Sequence, residues 1–408
     1  MKAQKKQPEL RFKGFTDDWE QSKLKDMAES LNYGLNVEAR EYDGRNKYIR
    51  ITDINDVSRK FTPDPITSPN LDNSELNDDY KLQLGDVLFA RTGASVGKTY
   101  HYESSDGNLY YAGFLIRARI KTAFSSMFLY QFTWGQQYKR FVNVTSQRSG
   151  QPGINAKEYG NLTLLLPNYK EQQKIGEFFQ KLDHTITLQQ RKHELLKKLK
   201  QGYLQQMFPA KKQVIPLLRF NEFNETWKLE KLGDITKSFS GGTPTAGTKK
   251  YYNGKIPFIR SAEINKRKTE LFLTEKGVAN SSAKLVSKGT ILYALYGATS
   301  GEVGVSQIDG AINQAILAII PNDEYSTLFI VQWLRNNKKK ITDKYLQGGQ
   351  GNLSGTIIKD LQIKFPSSKE QKLVGEFFMK LDQNITLQQL KIKQLQRLKQ
   401  AYLQKIFP

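Results

Sequence analysis

Residues 171–209 return without a gap as residues 370–408. The first copy reads EQQKIGEFFQKLDHTITLQQRKHELLKKLKQGYLQQMFP and the second EQKLVGEFFMKLDQNITLQQLKIKQLQRLKQAYLQKIFP. A long segment duplicated at such a distance makes the chain two halves of one design. The duplication implies one operation carried out twice, on a target that itself has two parts.

The repeated segment reads as a helix. In the first copy apolar residues fall at Ile175, Phe178, Phe179, Leu182 and Ile186, then at Leu195, Leu196, Leu199, Tyr203 and Leu204. Spacings of three and four place them on one stripe, with Lys and Gln elsewhere. Some 35 helical residues reach roughly 50 Å. A helix so long and narrowly striped needs a partner for its seam, and its own repeat is the economical one, as a coiled coil. MFP and IFP mark the two stops, and residues 210–216 read as a linker.

Outside the helices the repeat persists with small changes of offset. Leu10-Arg11-Phe12, Phe15, Trp19 and Leu24 return as Leu218-Arg219-Phe220, Phe223, Trp227 and Leu232. Ile49-Arg50 matches Ile259-Arg260. Gly85, Gly93 and Gly97 match Gly289, Gly297 and Gly301, while Gln151 and Pro167 match Gln350 and Pro366. Turn, core and punctuation positions are shared, and the residues between have diverged. VLFARTG and ILYALYG read as buried strands ending in Gly turns, as FLIRARI and AILAII read as strands. SMFLYQFTWGQQYKRFV and YSTLFIVQWLRNNKKKI each read as one amphipathic helix. The expected fold class is mixed α+β: two similar globular domains joined by two long helices in an antiparallel coiled coil, with pseudo-twofold repetition. Expected boundaries are 1–170 for the first globular domain, 171–209 for the first helix, 210–369 for the second domain and 370–408 for the second helix.

A net charge of +22 spread over both halves suits a polyanion lying along the molecule, because phosphate neutralisation rewards distributed Lys and Arg. The absence of cysteine fits a reducing compartment. The opening MKAQKKQPEL is followed by no apolar run, and no window approaches the ~20 apolar residues of a membrane span. A cytoplasmic location is expected.

Signatures of chemistry are missing. GASVGKT at 93–99 has three residues between its first Gly and Gly-Lys-Thr, where a phosphate-binding loop needs four. The second half keeps both glycines and puts Glu302 where the Lys stands. The three histidines, His101, His184 and His193, are scattered, and no cluster has zinc spacing. No nucleophile elbow is present. A methyltransferase acting on an adenine amino group would need an Asn-Pro-Pro-aromatic type motif, and the chain has no Pro-Pro. No catalytic residue and no metal ligand is expected.

What remains is basic, polar and aromatic. From Gly107 to Lys157 no acidic residue occurs, while Arg117, Arg119, Lys121, Lys139, Arg140 and Arg148 do. SQRSGQPGIN (146–155) and its counterpart QGGQGNLSG (347–355) are rich in Gln, Asn, Ser and Gly. Gln and Asn pair with adenine and Arg with guanine in the major groove. Candidate DNA-binding residues in the first half are therefore Arg91, Lys98, Arg117, Arg119, Gln147, Arg148 and Gln151. In the second half they are Lys249, Lys250, Arg260, Lys266, Arg267, Lys268, Gln347, Gln350 and Asn352. The Phe178/Phe179 and Phe377/Phe378 pairs are candidates for binding a partner protein.

Taken together, the pair EQxxxGEFFxKLDxxITLQQ at 171–190 and 370–389, the W-x-x-x-x-L openings at Trp19 and Trp227, and P-x-x-x-EQ at Pro167–Gln172 and Pro366–Gln371 resemble the specificity subunit of a type I restriction–modification system. The resemblance spans essentially the whole chain. It implies two target-recognition domains, each reading one half of a split, asymmetric double-stranded DNA site, with the helices as a spacer. It implies no cofactor on this chain. S-adenosylmethionine would bind two separate modification subunits that methylate adenine N6, while ATP and Mg would serve restriction subunits that translocate and cleave DNA. Half-sites one helical turn apart lie ~34 Å centre to centre on one face of the duplex. Two other readings stand beside this one: a non-enzymatic coiled-coil scaffold, and the DNA-binding module of another restriction type.

Overall fold

A computed structural model describes residues 7–71, 77–210, 212–346 and 352–408. By contact the chain falls into two compact units, residues 1–190 with 390–408 and residues 191–389. The cuts fall inside the two long helices, Tyr169–Gln206 and Ser368–Ile406. Each unit therefore holds one globular part, the start of one long helix and the end of the other.

In the first unit a four-stranded antiparallel sheet runs in the order Ala28–Tyr33, Leu115–Ile120, Asp86–Ala90, Thr99–His101. In the second unit the order is Thr236–Ser240, Ile316–Pro321, Ile291–Ala294, Val303–Val305, and it is again antiparallel. The strands anticipated at VLFARTG, ILYALYG, FLIRARI and AILAII are the central pairs of these sheets. Smaller sheets flank them, each with one parallel pairing: Lys47–Ile49 with Leu109–Tyr111, and Tyr252–Ile259 with Gly310–Ile312. In each unit a short strand after the repeated Trp pairs with the strand leading into a long helix, Glu20–Lys23 with Thr163–Leu166 and Lys228–Lys231 with Gln362–Phe365.

One expected helix is broken. Residues 126–145 form two helices, Ser126–Phe132 and Gln136–Thr145, whereas Thr327–Leu346 is continuous. At the break the Thr133 hydroxyl turns back to donate to the Tyr130 carbonyl at 2.6 Å, and Gly135 in extended conformation starts the next helix. A polar side chain bonding its own backbone competes with the helix ladder.

The repeated aromatics build two equivalent cores. In the first unit Phe179 stacks on Phe407 at 6.0 Å, and Phe407 packs on Phe128 at 5.2 Å. In the second unit Phe378 stacks on Phe208 at 6.0 Å, and Phe208 packs on Phe329 at 5.2 Å. The phenylalanine of each MFP or IFP ending is thus a core residue of the unit in which its helix ends. Burial of one such ring contributes roughly 1.5–3 kcal/mol. Phe178 meets Tyr402 and Phe377 meets Tyr203, both at 5.1 Å edge to face. With Asp183 bonded to Lys399 and Asp382 to Lys200, contacts advance along one helix as they recede along the other. Within each unit, then, the two helix segments run antiparallel.

Gly176 and Gly375 explain the invariant glycine of the repeat. A Cβ on Gly375 would lie 2.8 Å from Leu328 Cβ and 2.9 Å from the Phe329 nitrogen, and one on Gly176 would lie 3.1 Å from Met127 Cβ. At Gly375 the long helix crosses the neighbouring helix too closely for a Cβ unless something shifts, and at Gly176 the crossing is tight. No helix of the described residues is long and apolar enough to cross a membrane.

Candidate DNA interface

The strand Asp86–Ala90 delivers Arg91 to a tight turn. Gly93 and Gly97 adopt φ of 74° and 84°, and their counterparts Gly297 and Gly301 adopt 82° and 80°, a region costly for residues with a Cβ. This turn receives the polar loop 146–153. Gly93 N donates to the Pro152 carbonyl at 3.0 Å, Ile154 N donates to the Arg91 carbonyl at 2.8 Å, and Gln151 Nε2 would sit 3.1 Å from a Cβ on Gly93. The turn therefore gathers Arg91, Lys98, Gln147, Arg148 and Gln151 at one end of the first unit. Gln147 and Gln151 are exposed there. Arg91 lies over the Tyr33 ring at 4.9 Å, and Lys98 Nζ reaches the exposed Asp56 carboxylate at 2.5 Å and the Ile54 carbonyl at 3.1 Å. Arg148 is occupied: its Nη2 donates to both oxygens of Glu158 at 2.6 and 2.7 Å.

Arg117 and Arg119 do not belong to this group, which corrects the expectation drawn from the acid-free stretch. They alternate along the strand Leu115–Ile120 and serve the interior. Arg117 is 2% exposed, donates to the Asp79 carbonyl and lies 5.5 Å over Tyr111. Arg119 grips the fully buried Asp86 with two bonds of 3.0 Å. Both are held by their burial and partners as parts of the scaffold.

In the second unit Leu353 N donates to the Leu295 carbonyl at 2.9 Å, as Ile154 N does to the Arg91 carbonyl in the first, so the exposed Asn352 stands at the place of Gly153. Gln347 and Gln350 lie outside the described residues. Arg260 is held by carboxylates, as Arg148 is. It binds the buried Glu263 at 3.1 and 3.2 Å and Glu270 at 2.5 Å. These bonds raise its pKa, and they hold the Glu263 carboxylate below its ordinary value against the opposing effect of burial. Arg50 and Asp53 repeat the arrangement in the first unit, with bonds of 3.0 Å. Lys249, Lys250, Lys266, Arg267 and Lys268 are all exposed. They form two groups, because Lys249–Lys250 precede the strand Tyr252–Ile259 and Lys266–Lys268 follow its far end.

Phe179 and Phe378 are 0% exposed and lie within the cores, so neither is a partner-facing ring. Phe178 and Phe377 are half-buried against Phe12 and Tyr402, and Tyr203 and Phe220. Among the described residues no group of three or more His, Cys, Asp or Glu is arranged to hold a metal.

The sequence pattern of the type I restriction modification DNA specificity domain matches this chain twice, over residues 16–198 and 224–397. The chain belongs to this family. The type I specificity chain is accordingly a DNA-recognition component, and each of its two matches spans one globular part and most of one long helix. Its relatives include a Methanocaldococcus jannaschii protein assigned as the specificity subunit of type I restriction enzyme MjaX, 23% identical over 94% of this chain and 91% of the relative. Among solved structures, the S subunit of a type I restriction–modification system from M. genitalium aligns with a TM-score of 0.67 at 16% identity, covering 98% of this chain and 99% of that one. A chain from a structure on complex assembly and conformational transition of the type I R-M system aligns with a TM-score of 0.54 at 17% identity, covering 96% and 98%. At those identities the structural likenesses establish the fold.

Sequence reading missed Arg59, which lies beside the Gly93–Lys98 turn. It has no counterpart in the repeat, and its φ of 52° emerges only in three dimensions.

Proposed function

We propose that this chain is the specificity subunit of a type I restriction–modification complex that reads a bipartite, asymmetric DNA sequence, one half per globular unit. The observation carrying this reading is the pairing of like scaffolds with unlike ends. The same Gly turn is followed by Lys98 in one unit and by Glu302 in the other, and the loop bonded to the strand end carries Gly153 in one and Asn352 at the equivalent place in the other. Equal scaffolds place two readers equivalently, and different side chains read different bases. The exposed Lys249, Lys250, Lys266, Arg267 and Lys268 supply phosphate contacts in the second unit. The long helices act as the spacer, and the half-exposed Phe178 and Phe377 mark equivalent places for two modification subunits.

In this reading the chain carries no catalytic residue. S-adenosylmethionine belongs to the modification subunits, ATP and Mg to restriction subunits, and the complex works in the cytoplasm. Co-expression with a type I modification subunit in cells lacking adenine methylation, followed by mapping of methylated adenines, tests it. A split motif with one methylated adenine in each half is expected. A scaffold would leave the genome unmethylated, and a module of another restriction type would mark a single uninterrupted site.

A further inference from the structure

Beside the Gly93–Lys98 turn lies a cavity of about 340 Å3, lined in part by Arg59, Lys98, Tyr138, Lys139 and Asn143. Arg59 enters it from a tight loop. Its backbone N donates to the Asn55 carbonyl at 2.9 Å, and the Asn55 side chain accepts from Val57 N and Ser58 N. The guanidinium points inward, where Nη1 donates to Thr99 Oγ1 at 2.8 Å, Thr133 Oγ1 at 3.0 Å and the Thr133 carbonyl at 3.1 Å. It also lies 4.1 Å from the centre of the Trp134 ring. All of these partners are neutral, and among the described residues no carboxylate pairs with Arg59. Burial pulls the guanidinium below its ordinary pKa, and only Tyr130 and Tyr138 oppose the shift.

A cation withdrawn from water without an anion is costly, and proteins ordinarily pair it. Other arginines of this chain are paired with a carboxylate, Arg11 with Glu171, Arg119 with Asp86, Arg219 with Glu370 and Arg260 with Glu263, whereas the buried Arg117 has the Asp79 carbonyl and the Tyr111 ring. Lys139 is exposed on the rim and has no ion pair among the described residues, while Lys98 shares the cavity wall with Asp56, the single carboxylate there. In the second unit the charges at the equivalent place are paired. Glu302, at the position of Lys98, pairs with Lys338, and Arg335, at the position of Trp134, pairs with Asp382 at 3.3 Å.

We propose that the cavity is a phosphate site, in which Arg59 and Lys139, with Lys98 beside them, hold one backbone phosphate of the DNA next to the first half-site. The proposal rests on the reading of the chain as a DNA specificity subunit. A phosphate anchored on one side of the Gly93 turn would fix the register of Gln147 and Gln151 on the other, since phosphate contacts position and base contacts specify.

The test uses the full-length chain and the duplex that it selects from a random-sequence pool, with single phosphates replaced by neutral methylphosphonates. One replacement beside the first half-site is expected to weaken wild-type binding about tenfold. Lys139→Gln and Arg59→Gln are expected to weaken binding five- to tenfold and to lose sensitivity to that replacement alone. Each should also reduce the slope of log affinity against log salt by about 0.9. Lys139 is a surface helix residue, so its variant keeps the test decisive even where Arg59→Gln misfolds. Wild-type replacement profiles and slopes in both variants overturn the proposal. So does a rise in unfolding midpoint in inorganic phosphate at matched ionic strength, seen in wild type but not in Arg59→Gln, with DNA profiles unchanged; it would give the cavity to a free phosphate compound. Failure to select any sequence would sink the specificity reading itself.

Discussion

Arg11 grips the Glu171 carboxylate with Nε at 2.9 Å and Nη2 at 2.8 Å, and Glu171 is fully buried. Arg219 and Glu370 repeat the clamp at 2.7 Å for both bonds. The next residue completes each joint. Gln172 accepts from Ser125 N and donates to the Pro167 carbonyl, and Gln371 accepts from Ser326 N and donates to the Pro366 carbonyl. The Leu-Arg-Phe openings and the P-x-x-x-EQ motif are thus two sides of one joint between globular part and long helix. Removing one member of a buried pair strands the other charge, at a cost of roughly 3–5 kcal/mol. Glu171→Gln should destabilise the first unit by about 3 kcal/mol and Glu370→Gln the second by a similar amount. Denaturant unfolding followed by hydrogen exchange would show which unit opens.

Two helix glycines should respond oppositely to alanine. Gly375→Ala would force a Cβ into Leu328 and Phe329 and should destabilise by ~1–3 kcal/mol. Gly202 has nothing within 4 Å, and its position in the second copy is already Ala401. Gly202→Ala should therefore stabilise by up to about 1 kcal/mol. Thermal unfolding midpoints of the two variants decide the matter, and a shift in the same direction for both would refute the packing explanation.

Cutting the chain after Leu390 should unfold the unit at its opposite end of the sequence. The lost segment carries Leu403, Ile406 and Phe407, which belong to the core around Trp19, Phe128 and Phe179. Phe407→Ala alone should cost roughly 3–5 kcal/mol. Limited proteolysis of the truncated chain should release fragments from residues 1–190 first; preferential cleavage within 214–369 would contradict this division.

Burial pushes the His101 imidazole down to about 4 from an ordinary value of 6.5; Glu103 opposes the shift and Lys60 reinforces it. Between those values the unfolded chain takes up a proton that the folded chain refuses. Stability should therefore fall as pH drops from 6.5 towards 4, with at most ~3 kcal/mol from this residue. His101→Gln should flatten that part of the pH–stability curve, as read from urea midpoints at a series of pH values.

Much of this architecture was legible because duplication exposes what a scaffold needs. A residue kept in both copies, such as Gly93 with Gly297 or Gly176 with Gly375, marks a backbone or packing demand that a side chain meets only at a cost. Periodicity revealed the helices, since a 39-residue stripe has few alternative folds. The DNA candidates were less legible. Arg117, Arg119 and Arg260 resemble free cations along the chain, yet each is bound to a carbonyl or carboxylate brought to it from another element or turn. Phe179 and Phe378 looked like an apolar docking face because the sequence does not say that Phe407 and Phe208 come to cover them.

By itself, then, the sequence determined the duplication, the long helices, the mixed α and β halves and the resemblance to DNA specificity subunits. All of these follow from local periodicity, turn chemistry and comparison of the halves. Only the tertiary structure decided which charges are paired within the scaffold and which stay exposed. Ion pairing and burial depend on residues as far apart as Arg11 and Glu171. It also decided that each helix end completes the core of the unit in which it finishes, and that Arg59 stands without a carboxylate partner among the described residues.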